Sequence, residues 1–346
     1  ALLTGLAMHV DLVPDGAGSA GYGWLLAMIG QRYGYPVPVG GAQRLTDALA
    51  VRLRAYGGRM HCSAPVDRVL VAGGRALGVR CLDGRLWRAR RAVLADVPAP
   101  QLYRHLVAAG HLPPRLLDDI AAFRWDQPTL KVDWALSGPV PWLDRAAGPA
   151  GTIHIGVDGA GFTDVAADLA TGRVPAEPFI VAGQMSTADP TRSPAGTESM
   201  WAYTHLPARC ATGWPEVEAQ RHADRVEATF ERAAPGFRDL VLARHVAGPT
   251  TMELDQPSLV GGSIGGGSAG LDQQLCWRPV PGLGRADTPI DRLYLASASA
   301  HPGGGVHGAC GANAARAALA RSRAVTGPGY AAAIGYALRA VTAPDR

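Results

Sequence analysis

The sequence predicts an α/β protein of about two domains, and three observations carry that prediction. A periodic helix between Gly40 and Gly58 runs into a glycine-punctuated meander of strands. The middle of the chain then offers four more strand segments separated by irregular turns, the pattern of an antiparallel sheet with helices. Towards the end, a short strand, a run of glycines and a small-residue helix follow in that order.

Each element has a local reason. After Gly40-Gly41, the residues Leu45, Leu49, Leu53 and Tyr56 share one helical face with Ala48 beside them, and Gly57-Gly58 supplies the stop. Val66, Val69 and Val71 mark a first strand and Gly73-Gly74 a hairpin turn. Ala76–Leu82 returns, Asp83-Gly84 turns again, and Leu86–Leu94 forms the third strand. Pro113–Phe123 reads as a helix, and Thr129–Leu136, Thr152–Ile155, Phe179–Met185 and Ser199–Leu206 read as strands. The clearest helix begins with Pro215 at its first position and places Glu216 and Glu218 at its positive end. Ala219, Ala223, Val226, Phe230 and Ala233 then step by four and three until Pro235-Gly236. Leu293–Ala296 is a last strand, Val306–Ser322 a last clear helix, and Thr326–Arg346 a tail with weak signals.

Composition excludes several classes. The 346 residues suffice for a buried core, and with 47% hydrophobic residues the chain is not a disordered one. Glycine and proline, 44 and 27, are too few and too irregular for collagen or low complexity. The formal charge is +4, yet Lys131 is the only lysine and the arginines are scattered among 29 acids, so no nucleic-acid stripe forms. Cys62, Cys81, Cys210, Cys276 and Cys310 are odd in number and lack a C-x-x-C, which fits a reducing cytoplasm and neither a disulfide framework nor a zinc knuckle. The ten histidines show no metal-ligand spacing. The uncharged stretch Gly16–Gly30 holds five glycines and is too short to span a bilayer. It reads either as a buried helix or as a lid facing substrate or membrane.

Two stretches satisfy G-x-G-x-x-G. Gly265, Gly267 and Gly270 have no convincing strand before them, and Leu271–Pro281 behind them is not helical, so the pattern lacks the context that gives it value. Gly303, Gly305 and Gly308 lie between a strand and a helix, where backbone amides and the positive dipole end meet an anion or a flat ring closely. No acid follows until Asp345, so this turn is not a complete dinucleotide grip. Close helix–sheet packing is the other explanation for Gly308, Gly311, Ala312 and Ala315 on one face.

Four ordered blocks resemble the phytoene desaturase-like branch of the FAD-dependent oxidoreductases, a group related to the amine oxidases. Pro38-Val-Gly-Gly-Ala-Gln-Arg-Leu is similar to the P-x-G-G-x-x-x-L before a helix. Gly57-Gly58, Val66-Asp-Arg-Val, Gly78-Val and Asp83-Gly84 are similar to the meander of that family. Gly261-Gly-Ser-Ile-Gly-Gly-Gly with Asp272-Gln and Arg278-Pro resembles a block of the bacterial phytoene dehydrogenase-like group. Leu293-Tyr-Leu, His301-Pro-Gly-Gly-Gly-Val-His-Gly and Asn313-Ala-Ala resemble its C-terminal flavin-contact block.

The resemblance implies an incomplete FAD-binding Rossmann-like domain plus an antiparallel-sheet substrate domain with helices. Residues 1–37 would be a lid or part of the substrate domain, 38–100 and 286–325 the two parts of the FAD-binding layer, 101–285 the substrate domain and 326–346 a tail. No strand–G-x-G-x-x-G–helix precedes Gly40, so the chain is expected to be the C-terminal portion of such a protein. FAD is the implied cofactor. Gly40 and Gly41 would admit the flavin side of the cofactor, and Val66 matches the position whose backbone reads the adenine edge, or is an ordinary strand valine. Gly303, Gly304, Gly305, Val306, His307 and Gly308 would face the flavin ring or ribityl chain. The implied activity is desaturation, dehydrogenation or isomerisation of C–C bonds in a hydrophobic, polyene-like substrate. Trp125, Trp134, Trp142, Trp201 and Trp277 are candidates for its apolar pocket. Further expectations are a separate nucleotide-binding chain and peripheral membrane contact. The alternatives are a non-catalytic remnant or partner subunit of the same fold, and a nicotinamide-dependent dehydrogenase resting on Gly303–Gly308. The residues themselves offer no Ser/His/Asp arrangement and no paired carboxylates, and no catalytic side chain is assigned.

Overall fold

The computed structural model describes residues 2–208 and 213–339. Cys210 and the end of the expected tail, 340–346, lie outside them, as does residue 1. The chain forms two compact units: residues 1–60 with 127–263, and residues 61–126 with 264–346. Their borders fall at 60/61, 126/127 and 263/264, whereas the sequence blocks part at 38, 100 and 285.

The first unit is built on a five-stranded antiparallel sheet. Numbered along the chain, its strands are β5 (Thr129–Leu136), β6 (Thr152–Ile155), β7 (Ile180–Gln184), β8 (Glu198–His205) and β9 (Val241–Ala247), in the order β6-β7-β8-β5-β9. Alternation decides its two faces. Leu130, Val132, Trp134 and Leu136 of β5 point into a core with Ile180, Ala182, Met200 and Ala202. Helix α8 (Glu216–Ala233) covers this face with Ala219, Ala223, Val226 and Phe230, the stripe that its spacing predicts. Pro215 stands one position earlier than expected, as the N-cap. Trp134 meets Phe230 edge-on at 5.3 Å, and its indole N–H donates to Glu227 at 2.9 Å. This tryptophan is core, not pocket lining.

The opposite face carries Lys131, Asp133, Trp201 and Tyr203, all half-buried. At one end it is covered by α1 (Leu2–Met8) and α6 (Gly159–Ala170), which join Met8, Phe162, Val165 and Leu169 to Phe179 and Val181. Helix α2 (Ser19–Tyr33) packs beside α1 but leaves Trp24, Leu25 and Ile29 exposed, so the buried-helix reading of Gly16–Gly30 does not hold. Helix α3 (Gln43–Ala55) forms as its periodicity predicts, yet buries none of its residues. Two short helices, α7 (Met185–Ala188) and α9 (Pro249–Asp255), complete the unit.

In the second unit β1 (Val66–Ala72), β2 (Arg75–Cys81) and β3 (Leu86–Arg88) form the expected meander. Gly78 is obligatory there: its φ is +156°, and a Cβ would stand 2.1 Å from the Trp87 carbonyl oxygen. The expected strand Leu86–Leu94 splits. After Arg88 the chain leaves the meander, and β4 (Val93–Ala95) pairs in parallel with β10 (Leu293–Leu295) instead. A core of Leu102, Tyr103, Leu116, Ile120, Leu293 and Leu295 binds this pair to α4 (Ala99–Gln101), the turn Leu102–Leu106 and α5 (Pro114–Ala121). Helix α10 (Ala309–Ser322) follows β10, and α11 (Gly327–Ala337), unsuspected in the sequence, is held by the Tyr330 hydroxyl donating to Asp287 at 2.9 Å. Among the described residues no helix is long and apolar enough to cross a membrane.

Replacing Phe230, fully buried between α8 and the sheet, by alanine should cost about 3–5 kcal/mol in urea unfolding. A loss below about 1 kcal/mol would show that α8 does not anchor this core.

Candidate functional site

The turn after β10 is open where its backbone is most exposed. Gly303 and Gly305 have φ of +106° and +145°, and Gly308, with φ +62°, is the residue from which α10 starts. Gly303 is buried, while Gly304, Gly305, Val306, His307 and Gly308 are exposed, Val306 to 94%. The amides of Gly304, Gly305 and Val306 donate to no acceptor among the described residues. His307 caps the helix itself: its Nδ1 accepts the Ala309 N–H at 2.9 Å, which leaves the ring proton on Nε2.

Beneath this turn lies the other glycine loop, and there buried side chains hold much of the backbone. Asp126, 5% exposed, accepts the N–H groups of Ile264, Gly265 and Gly267 at 2.8, 2.6 and 2.9 Å. Arg278, 1% exposed, donates to the carbonyls of Ala298, Ser268, Gly265 and Gly267 at 2.7–3.3 Å. Ser299 Oγ donates to the Gly266 carbonyl at 2.7 Å. Backbone packs on backbone: a Cβ on Gly304 would stand 2.8 Å from the Gly265 oxygen, and one on Gly266 would stand 2.9 Å from Ala298 Cβ. Gln273 fixes the segment before Asp126, accepting the Arg124 N–H at 2.9 Å and donating to its carbonyl at 2.7 Å. The pattern Gly265, Gly267, Gly270 is therefore no phosphate cradle. Its amides already hold a carboxylate, and a 3-10 turn follows it.

Gly40 and Gly41 belong to the first unit, Val66 and residues 303–308 to the second. Gly40 and Gly41 adopt φ of +79° and +102°, open to glycine alone. The Gly40 amide donates to Asp189 Oδ2 at 2.7 Å, so it is not a spare donor. That bond, followed by those from Thr191, holds the Asp189 carboxyl below the usual range. Val66 opens β1 opposite Cys81 and is partly exposed.

Comparison with known proteins places this geometry. No family model matches the chain. It is 33% identical over 291 residues to the mouse protein "Pyridine nucleotide-disulfide oxidoreductase domain-containing protein 2", an alignment covering 80% of this chain and 49% of the relative. It is 27% identical over 294 residues to the neurosporene-forming phytoene desaturase of Rhodobacter capsulatus, covering 82% and 53%. An oxidoreductase structure from Methanosarcina mazei shares the fold, with TM-score 0.53, 16% identity, and 82% and 56% coverage. The chain belongs to the phytoene desaturase-like family of FAD-dependent oxidoreductases. It spans about half the length of the curated relatives it matches.

Two groups in this desaturase-like chain escaped the sequence search because their members are far apart. On the open sheet face the Lys131 ammonium pairs with Asp133, and Trp201 stacks on Tyr203 at 6.1 Å with planes 15° apart. Trp201 lies flat because Gly183 lies under it, where a Cβ would come within 2.4 Å of the indole. At the end of that face His9, Asp11, His154, Tyr203 and His205 gather. Burial, then His9, drives the His154 imidazole down to about 4. Burial, then Asp11, raises the Tyr203 hydroxyl. Of the remaining tryptophans, Trp142 donates to Gln184, Trp125 meets Phe123 edge-on, and Trp277 is exposed. The described residues contain no cluster of three or more His, Cys, Asp or Glu able to hold a metal ion.

Asp126→Ala would strand three amides at once and should destabilise the second unit by about 2–4 kcal/mol. Differential scanning calorimetry checks this; an unchanged transition would mean that the loop does not depend on the carboxylate.

Proposed function

We propose that the chain provides the flavin-contact turn and the substrate sheet of an FAD-dependent oxidoreductase that desaturates, dehydrogenates or isomerises C–C bonds in a hydrophobic substrate. The observation that carries this reading is the open turn Gly303–Gly308, glycine-lined, with unpartnered amides, on a backbone floor held by Asp126 and Arg278. Those residues fit a flat ring with hydrogen-bond acceptors along its edge. Bound FAD supplies hydride acceptance, the hard chemistry of the reaction.

The chain's own residues do the rest. Gly303, Gly304 and Gly305 let backbone approach the ring without side-chain hindrance, and the amides of Gly304–Val306 are donors for its polar edge. The start of α10 favours negative charge placed there. His307 Nε2–H is a further donor, and Val306 supplies an exposed apolar contact. Gly40 offers an exposed bare backbone beside the buried Gly41, and Val66 a strand-end backbone. The Trp201–Tyr203 stack gives an apolar, planar platform suited to a conjugated substrate, while Lys131 and Asp133 add a donor and an acceptor beside it.

The reading includes a nucleotide-binding unit, on the same or a separate chain, since parallel strands are normally part of larger sheets covered on both faces and β4–β10 is a pair. It also includes peripheral contact of exposed Trp24, Leu25 and Ile29 with a membrane surface, and a cytoplasmic setting in which Cys62 and Cys276 stay free thiols. A non-catalytic partner of the same fold is the second reading, favoured by the wholly unburied α3.

The purified chain, alone and with its nucleotide-binding unit, should retain FAD detectable by visible absorbance and by release on denaturation. His307→Ala should weaken FAD about 2–10-fold, the worth of one hydrogen bond. Protein that stays colourless with added FAD under both conditions refutes the reading. FAD binding without reduction by any hydrophobic substrate supports the non-catalytic one, and tight NAD binding without flavin supports a nicotinamide enzyme.

A further inference from the structure

Ionisable side chains that the flavin-contact turn does not use join α1 to the sheet. His9 and Asp11 follow α1, His154 stands on β6, and Tyr203 and His205 on β8. His205 Nδ1 lies 3.0 Å from Asp11 Oδ1, while Asp11 Oδ2 accepts the Gln127 N–H at 3.1 Å. The Tyr203 ring is 5.7 Å from His205 and 5.7 Å from His9, and its hydroxyl donates to the His9 carbonyl at 3.4 Å. His9 and His154 are 5.8 Å apart, and His154 meets Phe179 edge-on at 5.2 Å. Met8, Phe162, Phe179 and Val181 close the surroundings. In the next strand Lys131 faces Tyr203 and is paired with Asp133. Asp11 has φ +64°, a left-handed backbone that few non-glycine residues accept, held here by the two bonds of its carboxylate.

We propose that His9, Asp11, His154 and His205 form a pH-sensitive latch that keeps α1, and α2 with it, docked on the sheet near neutral pH and releases it on acidification. The Asp11 carboxylate is engaged with His205. A proton on His9 or His154 therefore places a cation beside other imidazoles in apolar surroundings. Burial, then His205, lowers His9, and burial, then His9, lowers His154 to about 4. Both groups bind protons more tightly once α1 has left. Docking is thus complete above the ordinary histidine range of about 6.5 and is lost progressively as pH falls from there towards 4. Release carries Met8 and Leu12, now buried, into water.

Hydrogen exchange of the whole chain, corrected for intrinsic rates, tests the latch. Protection of residues 5–12 should fall about tenfold or more between pH 7 and pH 5 while β5 stays protected. The double variant His9→Gln/His154→Gln should keep its pH 7 protection at pH 5, and His154→Gln alone should show about half the logarithmic fall. Asp11→Asn should be weakly protected already at pH 7. Constant protection in the natural chain, an equal fall in β5, or an unaltered fall in the histidine variants would each overturn the proposal.

Discussion

A buried carboxylate and a buried guanidinium hold one short loop by its two polarities. Asp126 takes the amides of Ile264, Gly265 and Gly267, and Arg278 takes the carbonyls of Gly265, Gly267, Ser268 and Ala298. Backbone groups withdrawn from water by this packing need partners, and no regular element supplies them there. Once paired, the loop becomes a hard floor. Gly304 and Gly305 can then remain uncovered above it without collapsing inward, because Gly304 already touches the Gly265 backbone. Openness in one layer rests on the backbone held firm in the layer below.

The first unit solves a different problem. One sheet face is committed to a dense aliphatic and aromatic core under α8, which fixes the register of all five strands, since a one-residue slip would exchange the faces. The other face is thereby free to carry groups that a core would reject: an ion pair, an indole laid on a glycine, and histidines kept neutral by burial. Stability and chemistry are divided between two sides of the same strands.

What the sequence disclosed follows from range. Thr129–Leu136 alternates and α8 steps by three and four, so both were legible within a few residues. The turn Gly303–Gly308 was legible because three of its glycines are consecutive. Strand β9 was not, since Arg244 and His245 interrupt its pattern and only Val246 is buried. Helix α6 hid behind two glycines, although Asp158 caps it by accepting the Ala160 and Gly161 amides at 3.1 and 3.0 Å, a signal that was available. Asp126 was out of reach: its partners lie 138–141 residues on. The histidine group likewise draws on α1, β6 and β8, which only tertiary pairing brings together.

The one lysine of the sequence stands on β5, between β8 and the edge strand β9, about two-fifths exposed and beside the aromatic stack. Every other basic side chain except the histidines is arginine, whose nitrogens resist acylation and imine formation. Amine-directed reagents, cross-linkers and acetylating or glycating metabolites therefore have a single side chain to find. An adduct located on Lys131 would report the accessibility of that sheet face without any label having to be engineered.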